Sequence, residues 1–205
     1  ITGSSAANTI VGGPGGNDIL SGAAGDDLIM AGGLNSAGQL ASNIQLDGGD
    51  DNDTVSFATS PLTGGSATVT NGVVFSLANT GPQTTSVGTV TAVNFENVVG
   101  TILDDKLTGS SGDNILYGNA GDDTLSGGAG NDILYGDSLY IPYLNSIADG
   151  WNNAPSINNF AADGVTIISG SDHLRGGAGD DTLNGGAGSD TAFYDDASGY
   201  VTVSL

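Results

Sequence analysis

Gly118-Asn119-Ala120-Gly121-Asp122-Asp123-Thr124-Leu125-Ser126 runs directly into Gly127-Gly128-Ala129-Gly130-Asn131-Asp132-Ile133-Leu134-Tyr135. Both follow the template G-G-x-G-x-D-x-U-x, with U a large apolar residue. The phrase returns at Gly176–Asn184 and starts again at Gly185. The glycines supply left-handed backbone angles at no steric cost, so the first six places read as a turn. The last three places read as a short strand. Side chains alternate along a strand, which puts position eight on one face. One apolar residue per strand, always at the same place, builds a narrow stacked core. Two phrases complete one coil, so turns two repeats apart stack on the same edge. Asp105 then lies over Asp123, and Asp172 over Asp190. The expected fold is an all-β solenoid, with short strand and loop insertions between its regular parts.

The repeat divides the chain. The first block covers 1–56, with adjacent phrases at Gly13–Ser21 and Gly22–Met30 that place Asp18 and Asp27 at position six. Gly3–Val11 is a degenerate copy with Asn8 there. A polar excursion at 31–46 interrupts this block before Gly48–Ser56 restores the phrase with Asp53. A linking β-strand segment follows at 57–99, where Val73–Leu77 and Val87–Val99 are rich in β-branched and aromatic residues. The second block, 100–136, carries Asp105, Asn114, Asp123 and Asp132 at position six. An insertion at 137–157 carries Tyr140, Tyr143 and Trp151 and has no period; long loops of this kind tend to be functional. The third block, 158–193, carries Asp163, Asp172, Asp181 and Asp190. Residues 194–205 repeat the beginning of the linking segment and stop, and Ile1–Ser5 matches Leu107–Ser111. Both ends therefore read as cut from a longer repetitive protein.

Composition narrows the chemistry. The chain has 23 Asp+Glu against 2 Lys+Arg, a formal charge of −21. All the acids but Glu96 are Asp, most of them beside Gly, which places short carboxylates in turns. Uncompensated charge of this size opposes compaction. It also makes nucleic acid a poor partner. There is no Cys and a single His, so thiol and zinc chemistry are disfavoured. No apolar run of about 18 residues is present, which argues against membrane insertion. Stacked carboxylates repel each other unless a cation lies between them. Ca²⁺ takes six to eight oxygen ligands at about 2.3–2.6 Å from carboxylates and carbonyls, whereas Mg²⁺ holds a stricter octahedron and keeps its waters.

In these phrases the chain resembles the RTX (repeats-in-toxin) calcium-binding nonapeptide family, whose fold is a parallel β-roll stacked on calcium ions. The resemblance implies several bound Ca²⁺, each held between same-edge turns by position-six carboxylates and by carbonyls of positions one to four. It implies one site from Thr101, Leu103 and Asp105 with Gly118, Ala120 and Asp123. A second joins Ser110, Gly112 and Asn114 with Gly127, Ala129 and Asp132. A third joins Ile168, Gly170 and Asp172 with Gly185, Ala187 and Asp190. Further pairings join Asp163 with Asp181, whose turn offers Gly176 and Ala178, and Asn8 with Asp27. Asp53 has no partner in frame and is set beside Asp27 across the excursion. Asp18 completes the position-six set.

Other conspicuous residues read as structural. Tyr117 and Tyr135 share position nine and are expected to stack on an outer sheet face. His173 at position seven points outward. Glu96 is read as a hydrogen-bonding residue at the entry to the second block. No residue constellation supports catalysis, and the Asp-Asp pairs recur, whereas an active site occurs once. The reading is a non-enzymatic calcium-binding structural module of a secreted or cell-surface protein, of surface-layer or adhesin type. It folds on extracellular calcium after export. The alternatives are a calcium-dependent roll appended to a secreted protease, lipase or polysaccharide epimerase, or a module that binds a glycan or a partner. Like subunits and surface polysaccharide are the partner classes left beside calcium.

Overall fold

The computed structural model describes residues 1–12, 16–31, 41–58, 71–137, 170–195 and 197–205. Residues 32–40, the aromatic positions Tyr140, Tyr143 and Trp151, and the expected site residues Asp163 and Ile168 lie outside the described residues. The described chain is all-β, without a helix, and it winds as a stack of short, mostly parallel strands.

Strands alternate between two faces. The first face is one sheet of eight strands in the order β1 (Thr9–Val11), β3 (Leu28–Met30), β5 (Thr54–Ser56), β9 (Asn97–Val99), β11 (Ile115–Asn119), β13 (Ile133–Asp137), β15 (Asp181–Asn184) and β17 (Val201–Ser204). The second face holds two sheets. One runs β2 (Ile19–Ala24), β4 (Ala41–Asp50), β8 (Gly88–Val93), β7 (Gln83–Thr85). The other runs β6 (Val74–Ser76), β10 (Lys106–Thr108), β12 (Thr124–Ala129), β14 (His173–Ala178), β16 (Thr191–Phe193). Every pairing is parallel except β7 with β8.

Position eight forms the core, in register from coil to coil. On the first face Ile10, Ile29, Val55, Val98, Leu116, Leu134 and Leu183 stack in one column, all buried. On the second face Phe75, Leu107, Leu125 and Leu174 form the matching column. Phe57 and Phe75 meet inside with ring centroids 4.8 Å apart. At position nine, Tyr117 stacks on Tyr135 at 5.1 Å with rings 9° from parallel.

The described residues of the segment 57–99 are wound into the same solenoid. Its β9 sits between β5 and β11, so the first face runs unbroken from the first repeats to the last. The second face is split between β8 and β10, and β6 and β7 fill the split. Gln83 joins these two strands with its side chain. Ser76 N donates to Gln83 Oε1 at 2.9 Å, and Gln83 Nε2 donates to Ser76 O at 2.9 Å and to Asn79 O at 2.9 Å. The amide of Gln83 thus occupies the place of a backbone peptide in the ladder.

Candidate calcium-binding edges

The turns that connect the two faces stack into two edges, and each edge carries a line of position-six side chains. On the edge that leaves the first face, Val73 N donates to Asp105 Oδ1 (2.6 Å), Asp105 N to Asp123 Oδ1 (2.8 Å), Asp123 N to Asp172 Oδ1 (2.8 Å) and Asp172 N to Asp190 Oδ1 (3.1 Å). On the opposite edge, Asn8 N donates to Asp27 Oδ1 (2.7 Å), Asp27 N to Asp53 Oδ1 (2.8 Å) and Asp53 N to Glu96 Oε2 (2.8 Å). The same line continues from Asn114 N to Asp132 Oδ1 (2.9 Å), Asp132 N to Asp181 Oδ1 (3.0 Å) and Asp181 N to Tyr200 O (2.8 Å). One oxygen of each carboxylate therefore stitches coil to coil.

The other oxygen is bare in most of them. Oδ2 of Asp18, Asp27, Asp53, Asp123, Asp132, Asp172 and Asp181 is buried with no hydrogen-bond partner. A buried acceptor without a donor costs about 1–3 kcal/mol, and more when charged. These oxygens face further acceptors. A Cβ placed on Gly118 would meet both Asp123 Oδ2 and the carbonyl oxygen of Gly136 in the next coil. A Cβ on Gly136 would likewise meet Asp172 Oδ2 and Gly185 O. Position one must be glycine because carboxylate and carbonyl oxygens crowd its Cα. A crowd of hard oxygens without a proton donor fits a hard cation and little else. Among the described residues no three carboxylate or imidazole side chains converge at one point, so a cation here has to draw on backbone carbonyls.

Burial sets the protonation behaviour. It pushes the Asp123 carboxyl up to about 9, against the pull of the Asp105 N–H and with help from Asp105, Asp172 and Asp137. It raises Asp172 to about 7, where Asp137 is the largest charged contributor. Asp53, Asp105, Asp132 and Asp137 rise to about 6, again chiefly through burial.

The expected pairs Asp105–Asp123, Asn114–Asp132, Asp172–Asp190, Asn8–Asp27 and Asp27–Asp53 are neighbours on their edges. The backbone positions Gly118, Ala120, Gly127, Ala129, Gly176, Ala178, Gly185 and Ala187 fall in the same turns. Two expectations differ from the structure. The neighbour of Asp181 is Asp132, 49 residues earlier, where the sequence reading set Asp163. The turn of Asp172 begins with Gly136 and Asp137 and is completed by Gly170 and Ser171, so Asp137 holds the place assigned to Ile168. Asp18 also keeps a buried Oδ2 without a partner; Gln45 N donates to Asp18 O, and the residue at its level in the next coil is the buried Ile44.

Sequence reasoning missed two carboxylates of the edges. Glu96 fills a position-six place with no glycines to announce it. Asp137 Oδ2 accepts from Gly170 N (3.2 Å) and Ala187 N (2.9 Å), while its Oδ1 is buried and bare. The signal was the phase of Gly136-Asp137 with Gly118-Asn119. The acids at position five form a second, exposed ladder in the reverse direction: Asp122 N donates to Asp104 Oδ1 (2.9 Å), Ser171 N to Asp122 Oδ1 (2.8 Å) and Tyr200 N to Asp180 Oδ1 (2.8 Å). His173 stacks on Phe193 at 5.8 Å, and Arg175 pairs with Asp195 at 2.8 Å.

Stacked coils, a one-residue-wide apolar core and two lines of cation-seeking oxygens define a calcium-binding parallel β-roll. The chain belongs to the RTX calcium-binding nonapeptide repeat family, whose model matches four copies over residues 2–35, 99–138 and 168–197, half of its length. The repeat of this family is a structural calcium-binding module. No curated protein matches the chain significantly.

Proposed function

We propose that this chain is a calcium-dependent structural module of a secreted or cell-surface protein, of surface-layer or adhesin type, that folds where calcium is plentiful. The observation that carries the reading is the set of buried, partnerless Oδ2 atoms on both edges. The residues proposed to hold ions are the position-six carboxylates and the glycine carbonyls facing them, such as Asp123 with Gly136 and Asp172, and Asp27 with Gly48 and Asp53. A bound Ca²⁺ supplies positive charge and joins adjacent coils. The chain's own part is to present oxygens from two coils to one point and to exclude water from it. Asp137 and Glu96 extend the carboxylate supply of their edges.

A chain with a formal charge of −21 is held open by self-repulsion when calcium is scarce. A ligand that binds the folded state alone stabilises it by mass action. That combination suits export in an open form and folding outside the cell, and RTX repeats occur in secreted bacterial proteins. The long uninterrupted first face favours a load-bearing or layer-forming role over an appendage. The test is far-UV circular dichroism during calcium titration, with magnesium as the control. A cooperative rise of β signal with calcium alone is expected. A fully folded spectrum in excess chelator would sink the coupled-folding part of the reading.

A further inference from the structure

We infer that the turns of this roll fall into two chemical classes, one closed by its own hydrogen bonds and one open, and that only the open class holds calcium. The inference rests on the calcium-binding reading above and divides its sites.

Three turns are closed: Gly3–Asn8, Gly100–Asp105 and Gly109–Asn114. Each has Ser or Thr at position two, and in each the position-two N–H donates to the position-six side chain of the same turn. Ser4 N donates to Asn8 Oδ1, Thr101 N to Asp105 Oδ2 and Ser110 N to Asn114 Oδ1, all at 2.6 Å. The hydroxyl adds a second bond, Thr101 Oγ1 to Asp105 Oδ1 at 3.0 Å and Ser110 Oγ to Asn114 Oδ1 at 3.1 Å. It also accepts from position four, at Leu103 N (3.0 Å) and Gly112 N (3.2 Å). Asp105 thus receives donors on both oxygens, and neither is bare.

The open turns lack these bonds. In the turns of Asp27, Asp53, Asp123, Asp132 and Asp181, position two is Ala23, Gly49, Asn119, Gly128 or Gly177, each with positive φ. Position four is also left-handed in all five, at Gly25, Asp51, Gly121, Gly130 and Gly179. No position-two or position-four residue of the closed turns has this backbone. The strands entering the open turns extend into them, as in β12 and β14, where Gly128 pairs with Gly177 and Ala129 with Ala178. The strands entering two closed turns, β9 and β10, stop after three residues. The position-two N–H of an open turn is not available to its own aspartate, and Oδ2 is left without a donor. A β-branched residue such as Thr101 resists φ > 0, and a Ser or Thr hydroxyl at position two adds the bond that closes the turn.

Position six agrees. Every bare-oxygen turn carries Asp, whereas two of the three closed turns carry Asn. Asn114 turns Nδ2 to Glu96 O at 2.8 Å, placing a donor where an open turn has only acceptors. A cation entering a closed turn would have to displace two or three hydrogen bonds. Of the three ligand sets implied by family resemblance, the two that start from Thr101 and Ser110 begin in closed turns. The one that ends in Gly185, Ala187 and Asp190 begins at Asp172, whose Oδ2 is bare, although neither Asp137 nor Gly170, at positions two and four of that turn, has positive φ.

Asp105→Asn and Asp123→Asn make the same chemical change in the two classes. Bound calcium per chain is measured by equilibrium dialysis and elemental analysis on the full chain, with the circular dichroism midpoint as a second readout. Asp105→Asn should keep the calcium content and midpoint of the parent, and Asp123→Asn should bind less calcium with a weaker midpoint. Equal calcium loss in both variants overturns the division. The double variant Ser110→Gly, Asn114→Asp opens a closed turn and should gain calcium even if Asp123→Asn fails to fold; no gain also overturns the division. A parent chain that binds no calcium would instead remove the functional reading itself.

Discussion

At the scale of the residue, the bare Oδ2 atoms make the fold sensitive to protons as well as to calcium. Burial raises the carboxyls of Asp53, Asp105, Asp132 and Asp137 to about 6, Asp172 to about 7 and Asp123 to about 9. In the unfolded chain an aspartate titrates near its ordinary value of about 3.9. A carboxyl whose folded value is raised binds its proton more tightly when folded. Its contribution to stability is complete below about pH 4 and is lost as pH rises through the folded value. The calcium-free chain is therefore expected to gain β signal as pH falls from 8 to 5, with most of the change between pH 7 and 4 and a tail from Asp123 above that. Saturating calcium should reverse the slope, because the ion competes with the proton for the same oxygens. Far-UV circular dichroism in calcium-free buffer across this range checks the sign; more β signal at pH 8 than at pH 5 without calcium would contradict it.

At the scale of the element, the short strands are held by a core one residue wide, so continuity of each sheet matters more than the depth of any pocket. Gln83 shows this at the split in the second face. Its side-chain amide supplies both the donor and the acceptor that Ser76 would otherwise lack. Gln83→Leu keeps the bulk and removes both bonds. It should lower stability in calcium by about 1–3 kcal/mol, the usual cost of stranded polar groups, as read from urea unfolding. A Gln83→Leu chain as stable as the parent would mean that water serves Ser76 equally well. The apolar periodicity made the core legible, because position eight is buried in every described repeat from Leu20 to Leu183. The edges were legible for the same reason: a fixed spacing fixes which aspartates are neighbours. The splice by Gln83 was not legible, since a side chain that imitates a peptide has no periodic signature. Glu96 was read as a structural hydrogen-bonding residue, and its carboxylate accepts from Asp53 N, but its place in the ladder was hidden by the missing glycines. The Ser and Thr at position two were not legible as a signal, because a single residue in the phrase does not show that its N–H is rerouted to the position-six side chain.

At the scale of the whole molecule, one turn is opened between its second and fourth places and still stacks in register. The chain leaves at Asp137 and returns at Gly170, and Asp123 and Asp190 meet Asp172 from below and above as if nothing intervened. This also explains why the pairing of distant blocks was hard to read: the partners of Asp123 and Asp132 lie 49 residues away. Replacing 138–169 by a single alanine restores an unbroken phrase, Gly136-Asp137-Ala-Gly170-Ser171-Asp172. That shortened chain should keep the calcium-induced β spectrum of the parent; loss of the transition would show that the removed residues are needed to close the coil. The pinned ends have a practical corollary. Asp137 Oδ2 grips both Gly170 and Ala187 of the next coil, so a foreign peptide grafted between 137 and 170 would be displayed from a rigid base, with its two anchor points released whenever the ions are stripped away.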